Sequence, residues 1–296
     1  MTWRVHNFNP GPAALPLPVL EQVQSDLLDF AGTGMSILEM SHRSATYEQL
    51  HNQVIADLRT LLGGTEDHAI LFMGGGAQMQ FALVALNLLS PGSYAEYLVT
   101  GVWSETALSE ARKIGDARVL WSSALTAHTR IPLPGEFHIE AGAAYLHYTS
   151  NNTIVGTQYT YVPAARDVPL VCDMSSDLLS RPVDLSHYSL IYAGAQKNLG
   201  PAGVTVVLIR RDLLERCRPD LPSTRRMRHE LLPSSMMSPA LLSTAKSSSS
   251  VPTTIPSGSA TTVNRAVSGM APPLVMAASR LPRRGRSFRF TRSRWM

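Results

Sequence analysis

Apolar positions along the chain follow two rhythms. After Pro16 and Pro18, Val19, Leu20, Val23 and Leu27 recur at helical spacing, and Leu50, Val54, Leu58 and Leu61 repeat the pattern. Both stripes predict amphipathic helices. Short apolar runs then occupy residues 69–73, 94–100, 117–121, 143–149, 169–173, 189–193 and 203–209, a length and composition that reads as buried strand. Between some of them lie helical stretches at 78–89 and 104–114, the second opening on a Ser104-Glu105 start signal. Strands interleaved with helices predict an α/β fold with a mainly parallel sheet of about seven strands.

Periodicity stops near Pro222. From there to the C-terminus the chain is rich in Ser, Thr, Pro and Arg, with a serine run at 247–250 and no sustained period of 3.6 or 2.0. Charge changes at the same point: residues 223–296 hold 11 Arg and one Lys against the single acid Glu230, a net +11, whereas residues 1–222 carry 14 bases and 21 acids, a net −7. Such a segment cannot bury enough apolar surface to offset its ordering entropy. The expected division is a folded domain over 1–222 and a basic Ser/Arg/Pro-rich tail over 223–296, disordered or read from a shifted frame. A basic tail also suits a nucleic-acid arm, but here the bases form neither runs nor helical stripes.

A chain of 296 residues exceeds the usual single-domain size, and 44% hydrophobic with 16% charged residues is the balance of a soluble protein. The longest apolar stretch, 81–89, is far short of the roughly 20 residues that span a bilayer. The N-terminus lacks the basic-then-apolar pattern of a secretory signal. Cys172 and Cys217 form no metal or disulfide pattern, so a reducing cytoplasm is expected and no metal is called for.

Three features carry candidate chemistry. Gly74-Gly75-Gly76-Ala77-Gln78 stands between an apolar run and a helix, where backbone N–H groups at a helix start can face a phosphate; a strand-to-helix turn without a ligand has the same composition. Asp173 closes an apolar run, at the edge where ligands of open α/β sheets bind. There it can keep a pyridine nitrogen protonated or simply cap a helix. Lys197 lies in the Gly-rich loop Ala193-Gly-Ala-Gln-Lys-Asn-Leu-Gly-Pro-Ala-Gly with no acidic neighbour, a setting for a Schiff-base amine. Most lysines are merely solvated, but Asp173 and Lys197 fall 24 residues apart at successive strand ends, within reach of one ring.

Beyond these, Asn7-Phe-Asn-Pro-Gly-Pro-Ala-Ala-Leu-Pro, Met40-Ser-His-Arg-Ser, Phe72-Met-Gly-Gly-Gly-Ala, Gly101-Val-Trp-Ser, Asn152-Thr-Ile-Val-Gly-Thr-Gln, Asp173-Met-Ser-Ser and Ala195-Gln-Lys-Asn-Leu-Gly-Pro-Ala-Gly occur in order. Over residues 1–222 this series resembles the successive motifs of the phosphoserine aminotransferases, class V enzymes that use pyridoxal phosphate. The resemblance implies a fold-type I homodimer that converts 3-phosphooxypyruvate and glutamate into phosphoserine and 2-oxoglutarate, in serine and pyridoxine synthesis. It makes Lys197 the lysine that bonds the cofactor and shuttles the proton, Asp173 the partner of the pyridine nitrogen and Trp103 the residue stacked on the ring. Thr153 would hydrogen-bond the ring hydroxyl, while Ala77, Gln78 and Gln196 would hold the phosphate. His42 and Arg43 would bind substrate anions. The family's Asn-Thr-Pro-Pro segment and its C-terminal arginine, which complete the site across the dimer, have no match here. A chain with weak or no turnover, binding cofactor or a partner only, is therefore the alternative, with nucleic-acid binding by the tail as a third reading.

Overall fold

The computed structural model describes residues 4–64, 66–222 and 225–227. The expectations for a tail over 223–296 lie outside the described residues, except at 225–227. There Asn87 Nδ2 donates to the Arg225 carbonyl at 3.0 Å, Asn87 Oδ1 accepts from the Met227 N–H at 2.8 Å, and the Met227 side chain joins the core. Packing onto the body therefore reaches Met227.

All seven apolar runs are strands of one sheet: β1 His68–Gly74, β2 Tyr94–Val99, β3 Asp116–Ser122, β4 Leu146–Thr149, β7 Leu170–Asp173, β8 Leu190–Gly194 and β9 Val204–Arg210. The order is β1-β9-β8-β7-β4-β2-β3. The pairs β2/β3, β2/β4, β4/β7 and β7/β8 are parallel; β9 runs antiparallel to both β8 and β1. Every residue of β4, β7 and β8 is buried, because helices or loops cover both faces, and hence these strands read as continuous apolar runs.

The two faces build two cores. On one side, Phe81 and Val84 of α3 (Gln78–Leu88), Ala107 of α4 (Val102–Arg112) and Leu213 of α5 (Arg211–Glu215) pack on Tyr97, Tyr145, Val171, Tyr192 and Val207. On the other, Val54 and Leu58 of α2 (Ala45–Leu61) join Ile70, Leu98, Tyr148, Cys172, Ile191 and Leu208. Helix α2 starts where the Ser44 hydroxyl accepts the Tyr47 N–H at 3.2 Å. Helix α1 (Leu17–Asp26) carries the first predicted stripe but buries no residue fully. Among the described residues, no helix is long and apolar enough to cross a membrane.

Two local features differ from the periodicity. Helix α4 opens at Val102 rather than at Ser104. The Ser104 hydroxyl turns back inside the first turn, accepts the Thr100 and Gly101 N–H groups at 2.9 and 3.0 Å and donates to the Gly101 carbonyl at 2.7 Å. A hairpin, β5 (Asn151–Asn152) with β6 (Thr157–Gln158), follows β4. Two-residue strands are too short to carry a period.

A polar string crosses the first core. Tyr97 and Tyr145 share a hydroxyl hydrogen bond at 2.7 Å, His147 Nε2 pairs with the Tyr192 hydroxyl at 2.8 Å, and the His147 ring stacks on Tyr97 with centroids 4.8 Å apart. Burial pushes the His147 pKa down to about 3, so the folded protein holds the ring neutral. The unfolded chain binds that proton near the ordinary value of about 6.5. Stability from this group is present above that value and falls as the pH drops toward about 3. The urea midpoint should decline from about pH 6.5 to 5, a range where exposed carboxylates stay ionised, and the decline should be shallower in His147→Gln.

Candidate active site

Strand direction places the candidate residues. β1, β2, β4, β7 and β8 run the same way, so their C-terminal ends form one edge of the sheet. Ala77 and Gln78 follow β1, Trp103 follows β2, Thr153 follows β4, Asp173 ends β7, and Gln196 and Lys197 follow β8.

At the centre of this edge Asp173 is 4% exposed. Its Oδ1 accepts the Ser175 N–H at 3.0 Å and the Ser175 hydroxyl at 2.6 Å. Burial raises its pKa above the usual aspartate value, an effect opposed by the Ser175 donors and the Lys197 charge. Lys197 Nζ lies 3.5 Å from the Thr153 hydroxyl and 6.0 Å from the centroid of the Trp103 ring. The Trp103 indole N–H is buried without a hydrogen-bond partner. One ammonium thus faces a buried carboxylate's field, a hydroxyl and an aromatic ring.

The Gly-rich turn is held from β9: Gly75, at φ +93°, donates its N–H to the Gly203 carbonyl at 3.0 Å and accepts the Thr205 hydroxyl at 3.1 Å. A Cβ on Gly74 or Gly76 would project into open space, whereas one on Gly194 would stand 3.4 Å from the Ala77 nitrogen, in contact with the amide at the start of α3. The Met79 and Gln80 N–H groups bond back to the Gly76 and Ala77 carbonyls at 3.0 and 2.9 Å, which leaves the Ala77 and Gln78 N–H groups as the ones an anion at this helix start could take. The N-terminal segment closes over the lysine loop: Ala13 N–H donates to the Gln196 carbonyl at 2.8 Å, and a Cβ on Gly11 would lie 3.4 Å from Lys197 Cγ.

His42 and Arg43 are both exposed in the turn before α2, where the Arg43 N–H donates to the Ser41 hydroxyl at 3.2 Å. Among the described residues no hydrogen bond or ion pair joins either side chain to the cluster around Asp173. Conversely, the cluster includes residues that sequence reasoning missed. The Ser150 N–H donates to the Asp173 carbonyl at 3.0 Å, and its hydroxyl, also 3.0 Å from that carbonyl, donates to Asp177 Oδ1 at 2.5 Å. Asn152 donates to the Thr100 hydroxyl at 3.0 Å, and Asn198 to the Leu178 carbonyl at 2.7 Å. Only the Ser-Ser pair after Asp173 offered a signal.

A model of the aminotransferase class-V family matches residues 5–241. The chain belongs to that family. Among class-V relatives, it is 53% identical over 220 residues to the phosphoserine aminotransferase of Desulfatibacillum aliphaticivorans, covering 74% of this chain and 61% of the relative. It is 54% identical over 220 residues to that of Geobacillus kaustophilus, with 74% and 61% covered. The solved phosphoserine aminotransferase of Bacillus circulans subsp. alkalophilus superposes with a TM-score of 0.73 at 51% identity, over 75% of this chain and 62% of that one. A PLP-bound phosphoserine aminotransferase from Trichomonas vaginalis superposes with a TM-score of 0.70 at 35% identity, over 76% and 64%. The chain thus spans about three fifths of the length of these class-V relatives.

The turn after β2 tests the packing of this edge. A Cβ on Gly101 would lie 2.6 Å from Asn152 Oδ1 and 2.9 Å from its Cγ, and the amide is tethered through Nδ2 to Thr100. Gly101→Ala should destabilise the protein by about 1–3 kcal/mol. Gly101→Ala combined with Asn152→Ala should lose less than the sum of the two single changes, measured as a double-mutant cycle of urea unfolding.

Proposed function

We propose that this chain is a pyridoxal-phosphate-dependent phosphoserine aminotransferase, with residues 1–222 as its cofactor-binding domain and a homodimer in the cytoplasm as its working form. The observation that carries the reading is the placement of Lys197 between Thr153 and Trp103, within the field of a buried Asp173. Family membership and identity above 50% to phosphoserine aminotransferases support it.

Pyridoxal phosphate, when bound, supplies an electron sink that lets an amino group pass between an amino acid and a keto acid. The chain's own residues do the rest. Asp173 holds the proton of the ring nitrogen. Trp103 covers a ring face, and Thr153 donates to the ring hydroxyl. N–H groups of Ala77 and Gln78, with the Gln196 amide, hold the phosphate. Lys197 anchors the cofactor and moves the proton on the substrate carbon. Arg43, with His42, binds the anionic groups of glutamate and 3-phosphooxypyruvate, since a guanidinium grips a carboxylate or phosphate through two parallel donors.

No Asn-Thr-Pro-Pro segment occurs in the sequence, which favours a second reading of the same site: cofactor binding with little turnover. An assay of 2-oxoglutarate formed from glutamate and 3-phosphooxypyruvate separates the two. For the site itself, the protein mixed with pyridoxal phosphate should absorb in the visible, and borohydride reduction should place the cofactor's mass on the peptide containing Lys197. Lys197→Ala should abolish both signals. An unchanged band in that variant removes Lys197 from the role. Asp173→Asn should keep cofactor bound while lowering any turnover by about 10²-fold or more.

A further inference from the structure

Ser175 occupies a position that the cofactor reading does not use. Its N–H and hydroxyl both load onto Asp173 Oδ1, at 3.0 and 2.6 Å. Among the described residues no hydrogen bond reaches Oδ2. The same hydroxyl accepts the Gly194 N–H at 3.2 Å. Gly194 is the last residue of β8, three before Lys197, and its α-carbon faces the Ala77 amide closely enough that a Cβ would stand 3.4 Å from that nitrogen. One hydroxyl therefore links the buried carboxylate to the strand end that leads into the lysine loop and abuts the phosphate turn.

We propose that Ser175 is a positioning residue: it saturates Oδ1 of Asp173, so that Oδ2 is the oxygen presented to the cofactor's ring nitrogen, and it ties that carboxylate to Gly194 at the root of the Lys197 loop. The inference rests on the pyridoxal-phosphate reading of the site. Two donors on one oxygen fix the carboxylate's rotation, since turning the group would break both. They also favour the charged form of an acid whose pKa burial raises. The ionisable groups that bear on Asp173 are Lys197 from the loop after β8, Asp177 from the turn after β7, Tyr192 on β8 and the adjacent Cys172. Of these only Lys197 favours the charged form, and it stands on the loop that Ser175 anchors.

The test begins with cofactor-free protein. The Asp173 carboxyl carbon, labelled with carbon-13 and assigned by its loss in Asp173→Asn, is titrated by NMR. Asp173 should titrate at higher pH in Ser175→Ala than in the wild type, and Ser175→Thr, which keeps the hydroxyl, should return it. Ser175→Gly, which keeps the backbone donor alone, should shift it in the same direction as Ser175→Ala. With cofactor added, Ser175→Ala should bind pyridoxal phosphate about tenfold more weakly, the loss of one hydrogen bond to a charged group. An Asp173 titration unchanged in both Ser175→Ala and Ser175→Gly overturns the proposal, as does a shift that Ser175→Thr fails to reverse. If wild-type protein binds no pyridoxal phosphate while the titration still moves, the cofactor reading fails and the hold of Ser175 on the carboxylate stands.

Discussion

Accommodating a carboxyl group at the buried end of a parallel strand is the constraint on which the rest of this edge depends. Removing such a group from water costs several kcal/mol unless donors and a counter-charge replace its hydration. Asp173 is 4% exposed, and its environment is arranged accordingly. Ser175 donates twice to one side-chain oxygen, the Ser150 N–H donates to the backbone carbonyl, and the Lys197 charge acts from the next strand's loop. Burial still outweighs these contacts, so the acid is held above its ordinary pKa. An acid in that condition gains from a cationic partner in front of it, which the ring nitrogen of the proposed cofactor would provide.

The turn after Asp173 extends this arrangement to its neighbours. Asp177 is buried and accepts the Ser150 hydroxyl at 2.5 Å and the Gln158 amide at 3.2 Å, which fastens the β5–β6 hairpin. The Leu178 carbonyl accepts the Asn198 amide at 2.7 Å, which fastens the lysine loop. The hairpin also meets the β2 turn, through Asn152 to the Thr100 hydroxyl and Thr157 to the Thr100 carbonyl. Thr153 sits in the hairpin turn, Trp103 in the first turn of α4 and Lys197 on the loop after β8, yet each is bonded through its neighbours to another or to the turn after Asp173. Site residues on loops hold a geometry only when such surrounding bonds restrict them.

Beneath the edge, the same face of the sheet carries the string Tyr97, Tyr145, His147 and Tyr192 where an apolar core would suffice. Each ring contributes a large buried area, and paired hydroxyls offset part of the cost of burying their oxygens. His147 Nδ1 is nevertheless buried without a hydrogen-bond partner, and the ring stays neutral because burial penalises its charged form. This layer supports Tyr192, the cross-strand neighbour of Asp173, so the packing of the core and the placement of the acid are continuous.

Residue order alone determined the seven strands and four of the helices, because a strand buried on both faces is a short apolar run and a half-buried helix is a 3.6-residue stripe. It also singled out Asp173 and Lys197, since an acid and an amine closing successive runs in a parallel sheet fall on one edge. The start of α4 was misplaced because the Ser104 hydroxyl bonds backward within the first turn. The β5–β6 hairpin was missed because two-residue strands have no period. Tertiary structure alone decided that Ser175 joins Asp173 to Gly194 and that Asn152 wedges against Gly101 while bonding Thr100. These relations join positions as far apart as Asn152 and Thr100, separated by 52 residues. They depend on the spatial strand order β3-β2-β4-β7-β8-β9-β1, which no local pattern of apolar and polar residues encodes.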